Sequence, residues 1–346
     1  MVVPVILAGG WGKRLWPLSH AMHPKQFLKL VGKHSSFQKA LLRIAHLPVV
    51  KQSVIIAHES HYFTCQDQMQ EIDFKTATFI LEPLSRDTAP ALALAAQSVC
   101  KEDIILVLPA DHVIENAQSF CHLIQRAVPT AKKGYLVTFG ITPNVPSTDY
   151  GYIQKGHPLD DVSFKVTRFI EKPSPGKAQS LLSSKSYFWN SGIFLMQAKR
   201  YLEELAKAAP LIFKASKKAY SSVERKLNYI RVNKKVFETC PNSSIDHAVM
   251  EHTQSAAMIP TTLSWKDMGC WSSLSEEKRG DHYTNASKGR IIMRECSGCF
   301  FSSKNQLPII AVGIKDQVIV STKHGLLIAN KTHAQKVKDI LNTFTS

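Results

Sequence analysis

The chain has 346 residues, of which 44% are hydrophobic, 9% aromatic and 20% charged. This composition excludes disordered, collagen-like and low-complexity chains, and the length favours a large domain with a smaller one. The 43 Lys and Arg outnumber the 27 Asp and Glu, and the formal charge of +16 at pH 7 indicates anionic partners, whether nucleic acid, a membrane surface or phosphorylated metabolites.

The amino-terminal residues lack the pattern of a targeting signal. They are apolar, but no basic residue precedes them and Pro4 interrupts the run, so we expect no secretory signal peptide. No apolar stretch approaches the roughly 20 residues of a membrane helix, and we expect no membrane association. The seven cysteines are scattered, and their one close pair, Cys296 and Cys299, has no second pair at zinc-site spacing. Reduced thiols in a cytoplasmic protein are expected.

Most of the chain, from residue 1 to about residue 285, alternates short β-rich runs with helical patterns. This alternation predicts an α/β fold with a mostly parallel sheet that carries helices on both faces. In such sheets ligands bind beyond the carboxyl ends of the strands, so the segments that follow strands are candidate sites. The predicted elements are strands 2–7, 54–57, 79–81, 104–108, 136–140 and 166–170 and helices 36–45 and 89–100.

The pattern changes from about residue 286 onward. Short apolar stretches separated by turn-forming residues predict a small β domain, and the periodicity of 332–344 predicts a closing helix. We therefore expect one domain over 1–285 and a second over 286–346. The apolar stretches lie at 291–293, 300–301, 309–312, 318–320 and 326–329.

The first predicted strand leads into a glycine-rich segment, with glycines at positions 9, 10 and 12. Glycine lets the backbone bend sharply and approach a ligand, which leaves amides free to bind phosphate. Arg14 and Lys25 add cations suited to a triphosphate. Neither the P-loop pattern nor the dinucleotide-binding pattern is matched. A strand-to-helix turn without a ligand is the alternative.

Two aspartates have the placement of metal ligands. Asp111 follows the predicted strand 104–108, and aspartate is a good Mg²⁺ ligand beside phosphates. Because Mg²⁺ rarely relies on one protein oxygen, a second carboxylate is needed, and Asp267 follows another short apolar stretch. A turn or helix-cap role is the alternative for either aspartate taken alone.

Three further segments have the chemistry of a sugar-phosphate pocket. Gly151 lies between two tyrosines and permits close approach of the backbone. Glu171 and Lys172 place an acceptor for hydroxyls beside a cation for a phosphate, and Asn190 offers an amide that both donates and accepts. An aromatic turn, a surface ion pair and a polar cap are the corresponding alternatives.

Taken in their order along the chain, these segments resemble those of the sugar-nucleotide pyrophosphorylases, and most closely the bacterial mannose-1-phosphate guanylyltransferases. Residues 82–90 resemble the segment that separates the mannose branch from glucose-1-phosphate relatives. We expect the short form, without the phosphomannose isomerase domain of longer members. The segments that carry it are 7–19, 24–26, 108–112, 169–173, 189–194, 244–251 and 265–271.

This resemblance implies a Rossmann-like, GT-A-like nucleotidyltransferase domain and a small C-terminal β domain, for which a short left-handed β-helix is one form. It implies transfer of GMP from GTP to α-D-mannose 1-phosphate, which gives GDP-mannose and pyrophosphate for polysaccharide synthesis. Mg²⁺ would be the cofactor and a cytoplasmic homodimer the assembly. No nucleophilic triad is expected, because a sugar phosphate is already an anionic nucleophile.

The resemblance also implies roles for individual residues. Arg14, Lys25, Asp111 and Asp267 would be the catalytic residues, the two aspartates as metal ligands. The sugar phosphate would contact Gly151, Glu171, Lys172 and Asn190. The nucleotide would contact Leu7, Ala8, Gly9, Gly10, Gly12, Arg14, Lys25, Glu82, Pro83, Asp87, Thr88 and Asp111.

Four positions depart from the family pattern. Trp11 replaces a small serine and is expected to narrow the phosphate loop, while Lys13 replaces threonine and would add a triphosphate contact. Asp87 replaces asparagine and brings an anion to the base pocket, where it can accept from guanine N1–H and N2–H₂. His247 replaces tyrosine. Nucleotide preference and rate are therefore open at this stage.

Three alternatives stay open. The first is the same chemistry with another nucleotide or hexose 1-phosphate, and the second is a catalytically weak regulatory paralogue. The third, nucleic-acid binding, is prompted by the charge alone. The basic residues over 207–235 alternate with apolar ones as in amphipathic helices with a solvated face, and no nucleic-acid motif is present.

Overall fold

The computed structural model describes residues 1–47, 52–271, 274, 284–305 and 307–344. Its contacts divide the chain into two compact units, each assembled from segments that are distant in sequence. The boundary predicted at residue 285 concerns the linear order of domains and stays a prediction. Unit 1 comprises Met1–Gly9, Ala40–Ala110 and Ile114–Trp265, and unit 2 comprises Gly10–Lys39, Asp111–Val113 and Lys266–Ser346.

The strands predicted from sequence are present, with bounds that differ by at most two residues at either end. In chain order the strands are β1 (Val2–Leu7), β2 (Ser53–His58), β3 (Ala77–Glu82), β4 (Ile104–Pro109), β5 (His112–Ile114), β6 (Leu136–Ile141), β7 (Tyr152–Pro158), β8 (Phe164–Ile170), β9 (Tyr187–Gln197), β10 (Glu224–Arg225), β11 (Tyr229–Arg231), β12 (Ala256–Thr261), β13 (Trp265–Asp267), β14 (Ala286–Lys288), β15 (Ile291–Arg294), β16 (Phe300–Ser303), β17 (Ile309–Val312), β18 (Gln317–Thr322) and β19 (Gly325–Asn330).

The helices also follow the predicted pattern where one was made. They are α1 (Ser36–Ile44), α2 (Tyr62–Gln70), α3 (Thr88–Ser98), α4 (Ala117–Lys132), α5 (Pro175–Ser183), α6 (Ala198–Ala208), α7 (Pro210–Ser221), α8 (Lys234–Phe237) and a C-terminal helix (Val337–Phe344), with one π-helical turn at Asp246–Met250 and short 3-10 turns at Lys13–Leu15, Lys25–Phe27, Glu59–His61 and Ala334–Lys336.

Unit 1 is built on one eleven-stranded sheet in the order β10-β11-β3-β2-β1-β4-β9-β6-β12-β8-β7. Strands β11, β3, β2, β1 and β4 run parallel, whereas β9 runs antiparallel to both β4 and β6. The predicted α/β sheet is therefore confirmed, with a mixed second half. The central strands β1, β2 and β4 read as unbroken apolar runs, as expected for parallel strands covered on both faces.

Helix α3 shows how one face of this sheet is covered. Its sequence is rich in Ala and Leu, residues 89–96 are all buried, and it packs against α6 and α7 as well as against strands β1 to β3. Asp87 caps its first turn by accepting a hydrogen bond from the Thr88 N–H at 2.7 Å. The cap fixes the start of the helix at Thr88, the last residue of the segment predicted to contact the nucleotide.

Unit 2 contains the predicted C-terminal β domain. Strands β14, β16 and β18 pair in parallel and β19 closes them as an antiparallel hairpin, while β15 and β17 form a second parallel pair. Strands that alternate between two parallel sheets are the pattern of a β-helix. The closing helix starts at Val337 after the 3-10 turn, five residues later than predicted.

The core of unit 2 explains why its early and late segments belong together. Leu15, Leu18 and Leu28 pack with Phe300 and Val318 in one buried cluster, so residues far apart in sequence share one apolar interior. In the described residues, no helix combines the length and apolar character needed to cross a bilayer.

Candidate functional site

The residues singled out from the sequence fall into one group in each unit. In unit 1 lie Leu7, Ala8, Gly9, Glu82, Pro83, Asp87, Thr88, Gly151, Glu171, Lys172 and Asn190, and in unit 2 lie Gly10, Gly12, Arg14, Lys25, Asp111 and Asp267.

The glycine-rich turn of unit 2 is shaped around one lysine. Gly12 has φ of +69°, and a Cβ at this position would lie 2.5 Å from Cγ of Lys25. Both the backbone conformation and the passage of the lysine stem therefore require glycine. The turn is braced from two sides, since Ser19 Oγ donates to the Gly12 carbonyl at 2.6 Å and Gln26 Nε2 donates to the Gly10 carbonyl at 3.0 Å.

The Lys25 ammonium lies between two carboxylates. Its Nζ forms an ion pair with Asp111 Oδ2 and lies 3.9 Å from Asp267 Oδ1. Burial alone would lower the pKa of Lys25, but Asp111 and Asp267 together raise it above its ordinary value. Burial would raise the pKa of Asp111, and the charge of Lys25 reverses that shift and lowers it. Lys25 and Asp111 are therefore held in their charged forms.

The two aspartates also have the arrangement of a divalent-metal site. Asp111, His112 and Asp267 each offer one ligand atom, and these atoms lie within 4.8 Å of one another. Asp267 Oδ1 is buried without a hydrogen-bond partner in the described residues, although buried polar atoms normally have one, and Lys25 Nζ at 3.9 Å is beyond hydrogen-bond distance. The donor set therefore fits a divalent cation. Sequence reasoning proposed the two aspartates but missed His112, since only its position directly after Asp111 could have indicated it.

Two cations of the glycine-rich turn have different surroundings. Arg14 is half-buried and close enough to Lys25 for its charge to oppose the rise in the pKa of Lys25. Lys13 instead donates to Asn342 Oδ1 of the C-terminal helix at 2.5 Å, and its Nζ lies 5.2 Å from the centroid of the Trp11 ring. The structure thus gives Lys13 a local role in joining the turn to the C-terminal helix, with Trp11 beside its ammonium.

In unit 1, a buried glutamate ends the third strand. Burial, with a smaller contribution from Asp87, raises the pKa of Glu82 to about 8. Its Oε1 has no hydrogen-bond partner within the described chain, and a Cβ on Gly9 would lie 3.8 Å from its Oε2. Asp87 has φ of +64°, unusual for a residue with a side chain, and Thr88 Oγ1 accepts from the Ile245 N–H at 2.8 Å. Such a segment, strained and rich in polar groups, is typical of a ligand site.

The Glu171 side chain packs so closely against the Gly151 backbone that a side chain at position 151 would collide with it. A Cβ on Gly151 would lie 2.5 Å from Glu171 Oε2. The Gly151 carbonyl accepts from the Asn190 N–H at 2.7 Å, and Lys172 Nζ contacts Glu171 Oε1 at 2.5 Å. Lys172 has φ of +40°, so the chain turns sharply directly after Glu171. The structure therefore brings all four residues predicted for the sugar phosphate into one cluster.

The cluster includes acidic residues that sequence reasoning left without a role. Asn190 Nδ2 donates to Asp246 Oδ1 at 2.9 Å, and Glu251 Oε1 accepts from the Glu171 N–H at 3.2 Å. Burial and then the charge of Glu171 raise the pKa of Asp246 to about 7. Both acidic residues belong to segment 244–251, and its part in the family resemblance is the signal that could have found them.

The environment of Asn190 narrows what this amide can offer a ligand. Its Oδ1 accepts from Thr138 Oγ1 at 2.8 Å and from the Gly192 N–H at 3.2 Å. A carbonyl oxygen has two lone pairs, and these two bonds use both lone pairs of Oδ1. Asp246 accepts one of the two hydrogens of Nδ2, so one N–H of the amide is left for a ligand. The expectation that Asn190 both donates and accepts therefore changes, because in this arrangement it donates.

Comparison with known proteins identifies the relatives of this chain. Residues 3–283 match the nucleotidyl transferase family, and residues 289–344 match the MannoseP isomerase/GMP-like beta-helix domain family. A mannose-1-phosphate guanylyltransferase of Salmonella montevideo is 44% identical over 99% of this chain and 73% of its own length. The protein named mannose-1-phosphate guanylyltransferase RfbM of Salmonella typhimurium is also 44% identical, over 98% and 72%.

A solved structure supports the same relationship. That of mannose-1-phosphate geranyltransferase from Thermus thermophilus matches with a TM-score of 0.82 at 26% identity, over 100% of this chain and 99% of that chain. The likeness therefore extends over the ranges of both family matches.

The burial of Glu82 generates a prediction about stability. A carboxyl whose pKa rises from 4.5 to about 8 on folding contributes stability that is complete below pH 4.5 and is lost as the pH rises toward 8. We expect Glu82→Gln to remove this loss, so that its free energy of unfolding relative to the wild type improves by a few kcal/mol between pH 5 and pH 8.5. Urea denaturation at the two pH values measures the difference.

The exposed Glu115→Gln variant is the control and should follow the wild type at both pH values. Parallel pH dependence in the wild type and Glu82→Gln would contradict the assignment of a neutral Glu82.

Proposed function

Since the chain belongs to the nucleotidyl transferase family, in its mannose-1-phosphate guanylyltransferase branch, we propose how its residues carry out the reaction of that branch. The reaction transfers GMP from GTP to α-D-mannose 1-phosphate and releases GDP-mannose and pyrophosphate. The observation that supports it most is the half-buried group of Lys25, Asp111 and Asp267, which combines a fixed cation with a metal-binding donor set.

The reaction requires neutralisation of the phosphate charges rather than a proton transfer. A phosphate oxygen of mannose 1-phosphate forms a bond to the α-phosphorus of GTP, and the bond from that phosphorus to the bridging oxygen of the β-phosphate breaks. The electron pair leaves with pyrophosphate, and no proton has to be removed from the nucleophile. The barrier is the repulsion between anions together with in-line alignment, which fixed cations and a rigid pocket lower.

Asp111 and Asp267 are the proposed ligands of Mg²⁺. Their oxygens suit a hard cation, and Asp267 Oδ1, which has no hydrogen bond in the described residues, is the atom that such an ion would satisfy. The bound ion would supply positive charge at the phosphate oxygens. Arg14 and Lys25 would bind the triphosphate, and Gly10 and Gly12 would leave their backbone amides accessible to it.

The base and the sugar are assigned to unit 1. The segments Leu7–Gly9 and 82–88, with Glu82, Pro83, Asp87 and Thr88, would frame guanine and ribose. Glu171 would accept hydrogen bonds from hexose hydroxyls, Asn190 would donate one, and the Gly151 backbone would approach the ring. Lys172 would meet the phosphate of the sugar.

Three further properties of the protein are proposed: its location, its assembly and its domain boundary. We assign it to the cytoplasm, where GTP and reduced thiols are available, and none of the seven cysteines, all of which lie in the described residues, forms a disulfide. We propose a homodimer. We also place the linear domain boundary near residue 285, which the two family matches at 3–283 and 289–344 support.

The experiment that tests the function is a pyrophosphate-release assay with Mg²⁺, each of GTP, ATP, UTP and dTTP, and either mannose or glucose 1-phosphate. We expect release to be fastest with GTP and mannose 1-phosphate. Faster release with another pair would identify that pair as the substrates. Absence of release from every pair would reject the proposed activity and favour a catalytically weak paralogue.

The metal assignment predicts the behaviour of two conservative variants. Asp111→Asn and Asp267→Asn each remove one anionic ligand at nearly constant shape, so kcat should fall by about a hundredfold or more while the fold is kept. Mn²⁺ titration followed by electron paramagnetic resonance should show weaker binding in both. The exposed Asp73→Asn, which removes a carboxylate paired with Lys75 at 3.2 Å, is the matched control. An active Asp267→Asn enzyme with normal Mn²⁺ affinity would refute the second ligand.

A further inference from the structure

A π-helical turn in unit 1 begins at Asp246, and Glu251 follows it directly. The carboxylates of these two residues contact Asn190 and Glu171, which are assigned to the sugar. The turn is Asp246–Met250, and the Glu251 N–H donates to the Asp246 carbonyl at 3.0 Å, a bond across five residues. Its start is tied to helix α3, because the Ile245 N–H donates to Thr88 Oγ1. Isolated π turns are rare and occur frequently at functional sites.

The first carboxylate, Asp246, fixes the rotation of the Asn190 amide. Asp246 Oδ1 accepts from Asn190 Nδ2 at 2.9 Å, which only the nitrogen end of the amide can satisfy. Thr138 acts on the other end. Its hydroxyl has one hydrogen, and the shorter of its two acceptor contacts, 2.8 Å against 3.1 Å to the Ile193 carbonyl, is to Asn190 Oδ1. The amide is therefore held from both ends and cannot flip without losing both bonds.

The second carboxylate, Glu251, acts on the backbone. Its Oε1 accepts from the Glu171 N–H at 3.2 Å, directly before the left-handed conformation of Lys172. Its Oε2 lies 3.1 Å from His247 Nδ1, one turn earlier on the same segment. Glu251 therefore anchors the sharp turn that aims the Glu171 side chain at Gly151.

The charges of this cluster indicate the kind of ligand that suits it. Glu171, Asp246 and Glu251 are acidic, and the nearby cations are Lys172 and His247. Carboxylates close together repel one another, and burial adds to the cost of ionisation, which is consistent with the raised pKa of Asp246. Hydroxyl groups that donate hydrogen bonds between them relieve the repulsion without adding charge.

We propose that Asp246 and Glu251 are positioning residues of the sugar pocket, Asp246 by holding the Asn190 amide as a hydrogen-bond donor and Glu251 by holding the backbone of Glu171. The pocket then recognises a pair of neighbouring hexose hydroxyls, one accepting from Asn190 and the other donating to Glu171. This inference rests on the proposed function, because it takes Asn190 and Glu171 as sugar ligands.

The test compares Asp246→Ala with Asp246→Asn in the pyrophosphate-release assay. Alanine removes the acceptor, whereas the oxygen of asparagine can accept the same bond from Asn190. We expect Asp246→Ala to raise KM for mannose 1-phosphate by about tenfold or more, with KM for GTP within about twofold of the wild type. Asp246→Asn should restore most of the affinity. Equal rises of both KM values, or no rescue by asparagine, would overturn the positioning role.

Thr138→Val tests the same arrangement from the opposite end and keeps the volume of the side chain. It should raise KM for mannose 1-phosphate in the same direction as Asp246→Ala. If Asp246→Ala does not fold, the pair Thr138→Val and Asp246→Asn still decides the point, since the account predicts a weakened sugar affinity in the first and near-normal affinity in the second. Unchanged KM in Thr138→Val would contradict it.

A second readout separates this inference from the proposed function. In ¹⁵N-resolved NMR spectra, the side-chain NH₂ signals of Asn190, assigned by their loss in Asn190→Asp, should be present in the wild type and in Asp246→Asn and displaced in Asp246→Ala. This result needs no turnover. An inactive wild type with the predicted signals would reject the function alone, and an active wild type with signals unchanged in Asp246→Ala would reject the positioning role alone.

Discussion

The arrangement of unit 2 depends on one lysine whose charge is shared by two carboxylates. Lys25 forms an ion pair with Asp111 and lies 3.9 Å from Asp267, and its stem crosses Gly12 so closely that any side chain there would collide with it. A half-buried ion pair is weak support for stability by itself, because partial desolvation of both partners offsets their attraction. The proposed roles of the same groups, binding phosphates and a metal ion, would account for an ion pair in this polar loop.

In unit 1, hydrogen bonds hold the Asn190 side chain beside an irregular pairing of β6 with β9. The pairing of β6 with β9 shifts register between Thr138 and Gly140. Thr138 pairs with Phe194 and Gly140 pairs with Asn190, so an advance of two residues along β6 corresponds to four residues along β9. The extra residues include Gly192, whose φ of +68° suits such a bulge. The bulge turns Asn190 toward Thr138 and Asp246, a direction that a regular strand would not give this side chain.

The sequence was sufficient to predict what local pattern determines. The apolar run of β1 predicted its bounds, and the short strand before Asp111 pointed to a functional carboxylate. Contacts between distant segments could not be read in this way. Thr138 lies in an apolar strand and Asp246 in a helical turn, and neither has a local feature that identifies Asn190 as its partner. The same holds for the apolar core that joins Leu15 to Phe300, and for Lys13, whose partner Asn342 lies 329 residues away.

The central claim is that the carboxylates which bind Lys25 are also the ones that bind a divalent cation. The most direct measurement is the Mn²⁺ affinity of the nucleotide-free Lys25→Met protein, by electron paramagnetic resonance. Without the ammonium, Asp111 and Asp267 face each other unneutralised, so the account predicts tighter Mn²⁺ binding than in the wild type, by about tenfold, and loss of that gain when Asp267→Asn is added. Mn²⁺ affinity that is unchanged or weaker in Lys25→Met would contradict it.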